Sequence, residues 1–436
     1  MSRKILYLPI KVLSIYLFVL FIVSIIGPVK YNYNPFYCFV ELLFLIAFIL
    51  FTRFGMDQSI KRNNRIFCVN NKHSLFVYKK IITISILIML PVKILLLIST
   101  IQMLGFPELS NVFKMLANVY SDMHSASDYN IFRQVDTFLT FLFYISTFST
   151  FYLWKEIKLP YRLLAIVNVL LDLLYNLFFI GTLRSLFTII LLFLLILIIK
   201  SVSDGKKVNK SKIFKLIVLL IVAFVIVSNA LAARKELWAG GNSDYIYGNK
   251  NYDFSNFLLF WCWTDNLKYN VCNVISYLTQ GFYNFSLALQ VPFEWTFFLG
   301  SVRGLNSIIS QIFPFIQDMT PLTYPVRAGI EFGRDGLANW YTIFPWIASD
   351  FTWVGCLIYF SFVGYLFMNC WIQTIKYKNP LSFCLLVLLF IQYVFLVANN
   401  QLFISRGESL GTIIILAIYF IFSKKTNRFE RLKYEI

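Results

Sequence analysis

The sequence predicts an all-α, polytopic integral membrane protein of about ten (10–12) transmembrane helices, on three observations. Of its 436 residues, 59% are hydrophobic and 14% charged, and the mean hydropathy is +0.70. A soluble core of this size cannot hide so much apolar surface, so lipid must serve as part of the solvent. Apolar runs of roughly 20 residues, long enough to cross the hydrocarbon, recur from end to end. These runs do not alternate as barrel strands would, and only helices satisfy their own backbone in lipid without closing a barrel.

Ten spans follow, near residues 8–27, 36–52, 81–104, 136–154, 161–180, 183–200, 213–232, 346–371, 381–399 and 409–423. The first comes after Arg3 and Lys4. It is too long for the apolar region of a signal peptide and lacks a small-residue cleavage site, which makes it a retained helix. Seven helices (1–232) therefore precede a large outer segment (233–345), and three helices with a basic tail (346–436) follow it. With the N-terminus inside, 26 of the 39 Lys and Arg and only five acids fall on the cytoplasmic side, a balance of +21 that leaves −3 elsewhere. That asymmetry places both termini in the cytoplasm. The net charge of +18 is thus a topology signal and does not call for nucleic acid.

The outer segments carry the polar chemistry. A smaller loop, 105–135, holds Glu108, Asp122 and Asp128 against Lys114 and Arg133. In the large segment, residues 273–299 are aromatic-rich and amphipathic, with Gly281 and Pro292 interrupting them. Leu305, Ile308, Ile309, Ile312, Phe313 and Ile316 share one helical face. Such stretches are expected to lie along the membrane interface, with a re-entrant hairpin as the alternative. Seven cysteines lack CxxC spacing; Cys262 and Cys272 share the outer side, and isolated apolar thiols are the plainer reading of both. Two histidines, His73 and His124, cannot build a His-based metal site in the large segment, and no Gly-rich phosphate loop is present. No metal or other cofactor is expected. The two halves share no repeat, which argues against an inverted-repeat transporter.

Candidate site residues gather near the outer ends of the helices. Asn168, Asp172 and Asn176 stack on one face of the fifth span, as a hydrogen-bonded seam or a cavity wall. An ionised Asp at that depth costs on the order of 3 kcal/mol and needs a partner or water. Arg184, in FFIGTLRSLF, begins the sixth helix, where a guanidinium and helix N–H groups together suit an anion. Arg303, Arg327, Arg334 and Arg406 add outer cations that the positive-inside rule would deplete, the last in a short turn behind Asn399, Asn400 and Gln401. Each alone is more often a solvated charge, but arginines clustered at one face suit bidentate phosphate recognition. Glu331, Asp335 and Asp350 are the nearest carboxylates, and Asp350 stands among apolar residues where a solvated role is not open to it. Tyr324, Asn339 and three tryptophans offer polar contacts, stacking faces and interface anchors.

Three stretches resemble the Wzy-type O-antigen (oligosaccharide repeat unit) polymerases: GTLRSLF before a long apolar helix, FFLGSVRGLNSIISQIF at 297–313, and NWYTIFPWIASDFTWVG at 339–355. They cover a minority of the chain. The resemblance implies a bacterial inner-membrane, metal-independent transferase whose active site faces the periplasm. Its substrates would be oligosaccharide repeat units on undecaprenyl diphosphate, with membrane lipids and a chain-length regulator as the implied partners. Arg184, Arg303 and Asp350 match family-like positions. Arg327, Arg334 and Glu331 are added from local chemistry, and Asp350 or Glu331 is expected to take the acceptor proton. The large segment lacks an Arg-x10-Gly spacing described for some members.

Two other functions are in view. An O-antigen ligase would use a histidine in the large segment, and residues 233–345 contain none. A lipid-linked oligosaccharide flippase would need cations deep within its spans, where Lys93 is the clear case.

Overall fold

The first helix, α1 (Leu8–Ile26), is apolar on every side. Leu13, Leu17 and Phe21 are buried against the protein, while Val12, Ile15, Val19 and Ile22 are exposed. A water-facing helix would turn charges outward, so this surface suits hydrocarbon. The computed structural model describes residues 3–63, 72–106, 130–203, 226, 229 and 252–434. The chain continues with α2 (Pro35–Asn63), α3 (Lys72–Leu104), α4 (Ile131–Tyr144), α5 (Leu159–Phe178) and α6 (Arg184–Ser203). After residue 252 come α7 (Asp265–Ala288), α8 (Arg303–Ile312), α9 (Tyr324–Glu331), α10 (Ile343–Tyr377), α11 (Pro380–Val394) and α12 (Arg406–Tyr434). Among the described residues there is no strand beyond an isolated bridge from Val29 to Tyr252.

Six helices among the described residues are long and apolar enough to cross a membrane: α1, α2 to Arg62, α3 from Phe76, α5, α6 and α10. They coincide with six of the spans expected from sequence. Apart from residues 226 and 229, the span at 213–232 lies outside the described residues, as do Glu108, Lys114, Asp122, Asp128 and the outer cations Arg234, Lys235 and Lys250. The span expected at 136–154 begins earlier, where Asn130 caps α4, and passes through a π-turn at Ile145–Ser149. The span expected at 381–399 is shorter, because the helix stops at Val394 and residues 395–405 are irregular yet largely buried. Non-helical backbone at such depth is tolerated only where protein supplies its hydrogen bonds.

The large outer segment also differs from expectation. Residues 279–288 of α7 are buried in the bundle rather than laid along an interface. Phe282 packs edge-on against Phe21 of α1, and Phe285 against Phe44 of α2. The expected apolar helix after residue 303 is present as the ten residues of α8.

Close approach and buried charge hold the bundle together. A Cβ on Gly55 would overlap the carbonyl of Ser361, and one on Gly364 that of Thr52, so α2 and α10 touch backbone to backbone. Small residues at helix crossings allow this where lipid removes any hydrophobic drive to associate. Lys93 of α3 reaches Asp136 of α4 at 2.8 Å and Asp172 of α5 at 2.7 Å, with the lysine 4% exposed. The partner that Asp172 requires is therefore Lys93. Lys93→Met should strand two buried carboxylates and destabilise the protein by roughly 3–5 kcal/mol in unfolding from detergent micelles. Adding Asp136→Asn and Asp172→Asn should recover most of that loss; no loss in the single variant would contradict the account.

Candidate functional site

Two irregular segments, 292–302 and 395–405, meet beside the first turns of α8, α10 and α12. Phe297 and Phe298 take left-handed backbone angles, with φ of +52° and +63°, which bulky residues adopt only under constraint. The constraint is Asp350. Its carboxylate is 3% exposed and accepts from the Thr296 hydroxyl, from Gly300 N–H at 3.1 Å and from Ser301 N–H at 2.7 Å. The preceding residue, Ser349, accepts Tyr324 N–H on its hydroxyl at 2.9 Å and so anchors the start of α9. Two residues after Asp350, α10 breaks at Thr352, whose φ is +63°. Both oxygens of Asp350, the carboxylate expected from sequence as a general base, accept hydrogen bonds that hold the turn.

Asn399 organises the second segment. Its side-chain oxygen accepts Tyr341 N–H and Trp346 Nε1–H, each at 3.0 Å, from a left-handed residue that Asn tolerates well. Asn400 Nδ2 donates to Ser301 carbonyl at 2.8 Å, joining the two irregular segments. Its other side-chain atom, Oδ1, is buried without a partner.

Arg303 starts α8 above this junction. Gly304 N–H donates to Phe403 carbonyl at 2.9 Å and fixes the start of the helix. The Arg303 guanidinium lies 5.3 Å over the Trp346 ring, in a narrow cleft with Ser301, Asn399, Asn400 and Phe403. Burial works against its charge, with Asp318 and Asp335 offsetting this in part, and among the described residues no hydrogen bond or ion pair reaches it. A guanidinium stacked on an indole keeps its fork of donors free for an anion.

Arg334 is the second such cation. It lies 5.1 Å over Tyr283, on which Tyr31 stacks. Its Nε and one Nη are buried without a partner, and burial again opposes its charge, with the phenols of Tyr341, Tyr283 and Tyr31 nearby. Orphaned buried atoms cluster in the same stretches: Gln280 Oε1, Asn284 Oδ1, Asn339 Oδ1, Tyr341 Oη and Thr342 Oγ1. Buried polar groups are nearly always hydrogen-bonded, so the place fits a ligand with an anionic group for the arginine and hydroxyl groups for the orphaned amide oxygens.

The remaining expected residues are committed elsewhere. Arg184 pairs with Glu408 at 3.2 Å and donates to the Gln401 carbonyl. Arg327 pairs with Glu294 at 2.8 Å and donates to Pro292 carbonyl. Arg406 donates to the Ser307 hydroxyl at 3.1 Å. Tyr324 is buried against Trp353, and Asn339 donates to Asp335 carbonyl at 3.0 Å. Asp172 is held by Lys93, whereas Glu331 is the exception, exposed at the end of α9 with neither hydrogen bond nor ion pair among the described residues. Sequence reasoning missed Tyr31, Gln280, Tyr283, Asn284 and Glu408. The four-residue spacing of Ser276, Gln280 and Asn284 was the available signal for a polar face on α7.

No protein-family model, curated protein or solved structure matches this chain. Asp350→Asn should place an amide N–H against backbone donors in the 296–301 turn. It should lower stability by roughly 2–3 kcal/mol and open that turn to proteolysis. Unchanged melting and protection would contradict the anchoring role.

Proposed function

We propose that the protein is a surface-polysaccharide polymerase of the O-antigen type. In this reading it joins oligosaccharide repeat units carried on undecaprenyl diphosphate at the periplasmic face of a bacterial inner membrane. The observation that carries the reading is a pair of half-buried arginines, Arg303 and Arg334, that lack carboxylate partners among the described residues and stand near unpartnered amides and hydroxyls. Every other outer arginine of the candidate set already spends its charge within the protein or on a hydroxyl.

The proposed reaction matches that supply. The donor's anomeric carbon carries a diphosphate-lipid leaving group, and negative charge grows on it as the bond breaks. Fixed cations in a dry site stabilise such charge without reorganising. Aromatic rings and amides, here Tyr31, Tyr283, Trp340, Gln280 and Asn284, suit sugar faces and hydroxyls. The count of ten or more helices, cytoplasmic termini and a periplasmic site belong to this proposal, on the charge asymmetry of the sequence.

A flippase is the second reading, favoured by the Lys93–Asp136–Asp172 cluster and by Asn168, whose amide atoms are both buried without partners. A gel ladder of surface glycan separates the two. A strain lacking this gene should show single repeat units on the core, and wild-type complementation should restore the ladder. Arg303→Ala and Arg334→Ala should each cut polymer by about 100-fold or more. A full ladder in the deletion would refute polymerisation, and units stranded inside the cell would favour the flippase.

A further inference from the structure

The general base remains to be found, and the carboxylates at this end of the bundle can be compared one by one. Asp253 pairs with Lys30 at 3.0 Å, and Glu294 is held by Arg327. Asp318 accepts from Asn306 and from Thr320 N–H, and Asp335 caps the N–H groups of Leu337 and Ala338. Asp350 has three donors. Asp265 and Glu331 are exposed.

Glu408 differs from all of these. One oxygen, Oε1, meets Arg184 at 3.2 Å; the other, Oε2, is buried and holds no hydrogen bond. Glu41 and Asp136 also carry buried orphan oxygens, but Asp136 belongs to the Lys93 cluster and Glu41 has no ion pair among the described residues; Glu408 joins such an oxygen to a cation beside the arginine cleft. It sits in the first turn of α12, and its position is tied to the arginine cleft through two links. Arg184, its partner, donates to Gln401, which follows Asn400 of the cleft. Gly304, next to Arg303, packs against Ser405 and Ser409, on either side of Glu408. One residue thus lies within reach of a cation that can be drawn away and of the cleft that would draw it.

We infer that Glu408 is the general base of the transfer, and that the donor diphosphate arms it by drawing Arg184 away. This rests on the polymerase reading. While Arg184 holds Oε1, the carboxylate is tied to a cation within the protein; drawing that cation away leaves both oxygens free. The incoming diphosphate competes for the same guanidinium, bidentate and more highly charged than a carboxylate. Once freed, Glu408 takes the proton of the acceptor hydroxyl on Oε2. The hydroxyl oxygen forms the bond to the anomeric carbon, the bond from that carbon to the diphosphate oxygen breaks, and its electron pair leaves with the diphosphate. The carboxylate is therefore released only when a donor is bound, which disfavours idle hydrolysis.

The test uses purified full-length protein in lipid nanodiscs with a prenyl-diphosphate-linked repeat unit, reading both donor binding and glycan lengthening. Glu408→Gln keeps the size and an oxygen for Arg184 but cannot accept the proton. It should bind donor within about threefold of wild type and lose lengthening by about 100-fold or more. Glu408→Ala with added formate should regain part of the lost rate, since a small carboxylate can fill the space. Lengthening by Glu408→Gln near the wild-type rate would overturn the assignment, as would equal losses of binding and rate. A formate-insensitive Glu408→Ala that is folded and binds donor would also overturn it. If wild type binds donor but lengthens nothing, the polymerase reading fails and takes this inference with it.

Discussion

Backbone that is neither helical nor hydrated must find its hydrogen bonds in side chains, and the rest of this structure depends on how that constraint is met. Residues 395–405 leave helical geometry in largely buried surroundings, and Thr296, Gly300 and Ser301 of the 292–302 segment are buried beside them. Asp350 receives Gly300 and Ser301, Asn399 receives Tyr341, and Asn400 reaches Ser301. Three short polar side chains thus fix two irregular segments against each other, and the first turns of α8, α10 and α12 are set by them. Each is worth a few kcal/mol at most, but a buried backbone group left unmade costs as much, so the arrangement has little slack.

On that frame the charges divide into two kinds. Lys93 with Asp136 and Asp172, Arg327 with Glu294, and Arg184 with Glu408 are satisfied within the protein. Arg303 and Arg334 are not; each lies over an aromatic ring and keeps donors unpaired. Burial opposes both charges, and an Arg in a protein does not escape by losing its proton. A fold that retains two such groups at one end, beside orphaned amides and the orphaned Tyr341 hydroxyl, is complementary to a ligand that is polar and carries negative charge. The Arg184–Glu408 pair at its edge adds a contact that the same anion can break.

Much of the architecture was legible in the sequence, because lipid leaves few ways to satisfy a backbone and long apolar runs follow from that. Helices α1, α2, α3, α5, α6 and α10 were visible on that ground alone. The early end of α11 was not, since Phe395 to Ala398 are as apolar as the helix before them, and only their burial against Tyr341 and Gly281 shows why they unwind. The site was legible as a set of arginines but not as a geometry. Spacing cannot say that Arg327 is neutralised by Glu294 while Arg334 stands alone, because both partners depend on how distant segments fold back. Asp350 drew notice as a carboxylate among apolar residues; that the same burial would spend it on Gly300 and Ser301 required the fold. Glu408, inside a short outer turn, gave no signal of its own until Arg184 was found beside it.

The central claim is that Arg303 and Arg334 are held unpaired for a lipid-borne diphosphate. The most direct measurement is the thermal melting of purified protein with a short-chain prenyl diphosphate, beside the Arg303→Ala/Arg334→Ala double variant. The account predicts a concentration-dependent rise in melting temperature for wild type, since a ligand that binds only the folded state stabilises it, and at least a tenfold weaker response in the double variant. Equal responses from the two proteins, or none from wild type, would contradict it.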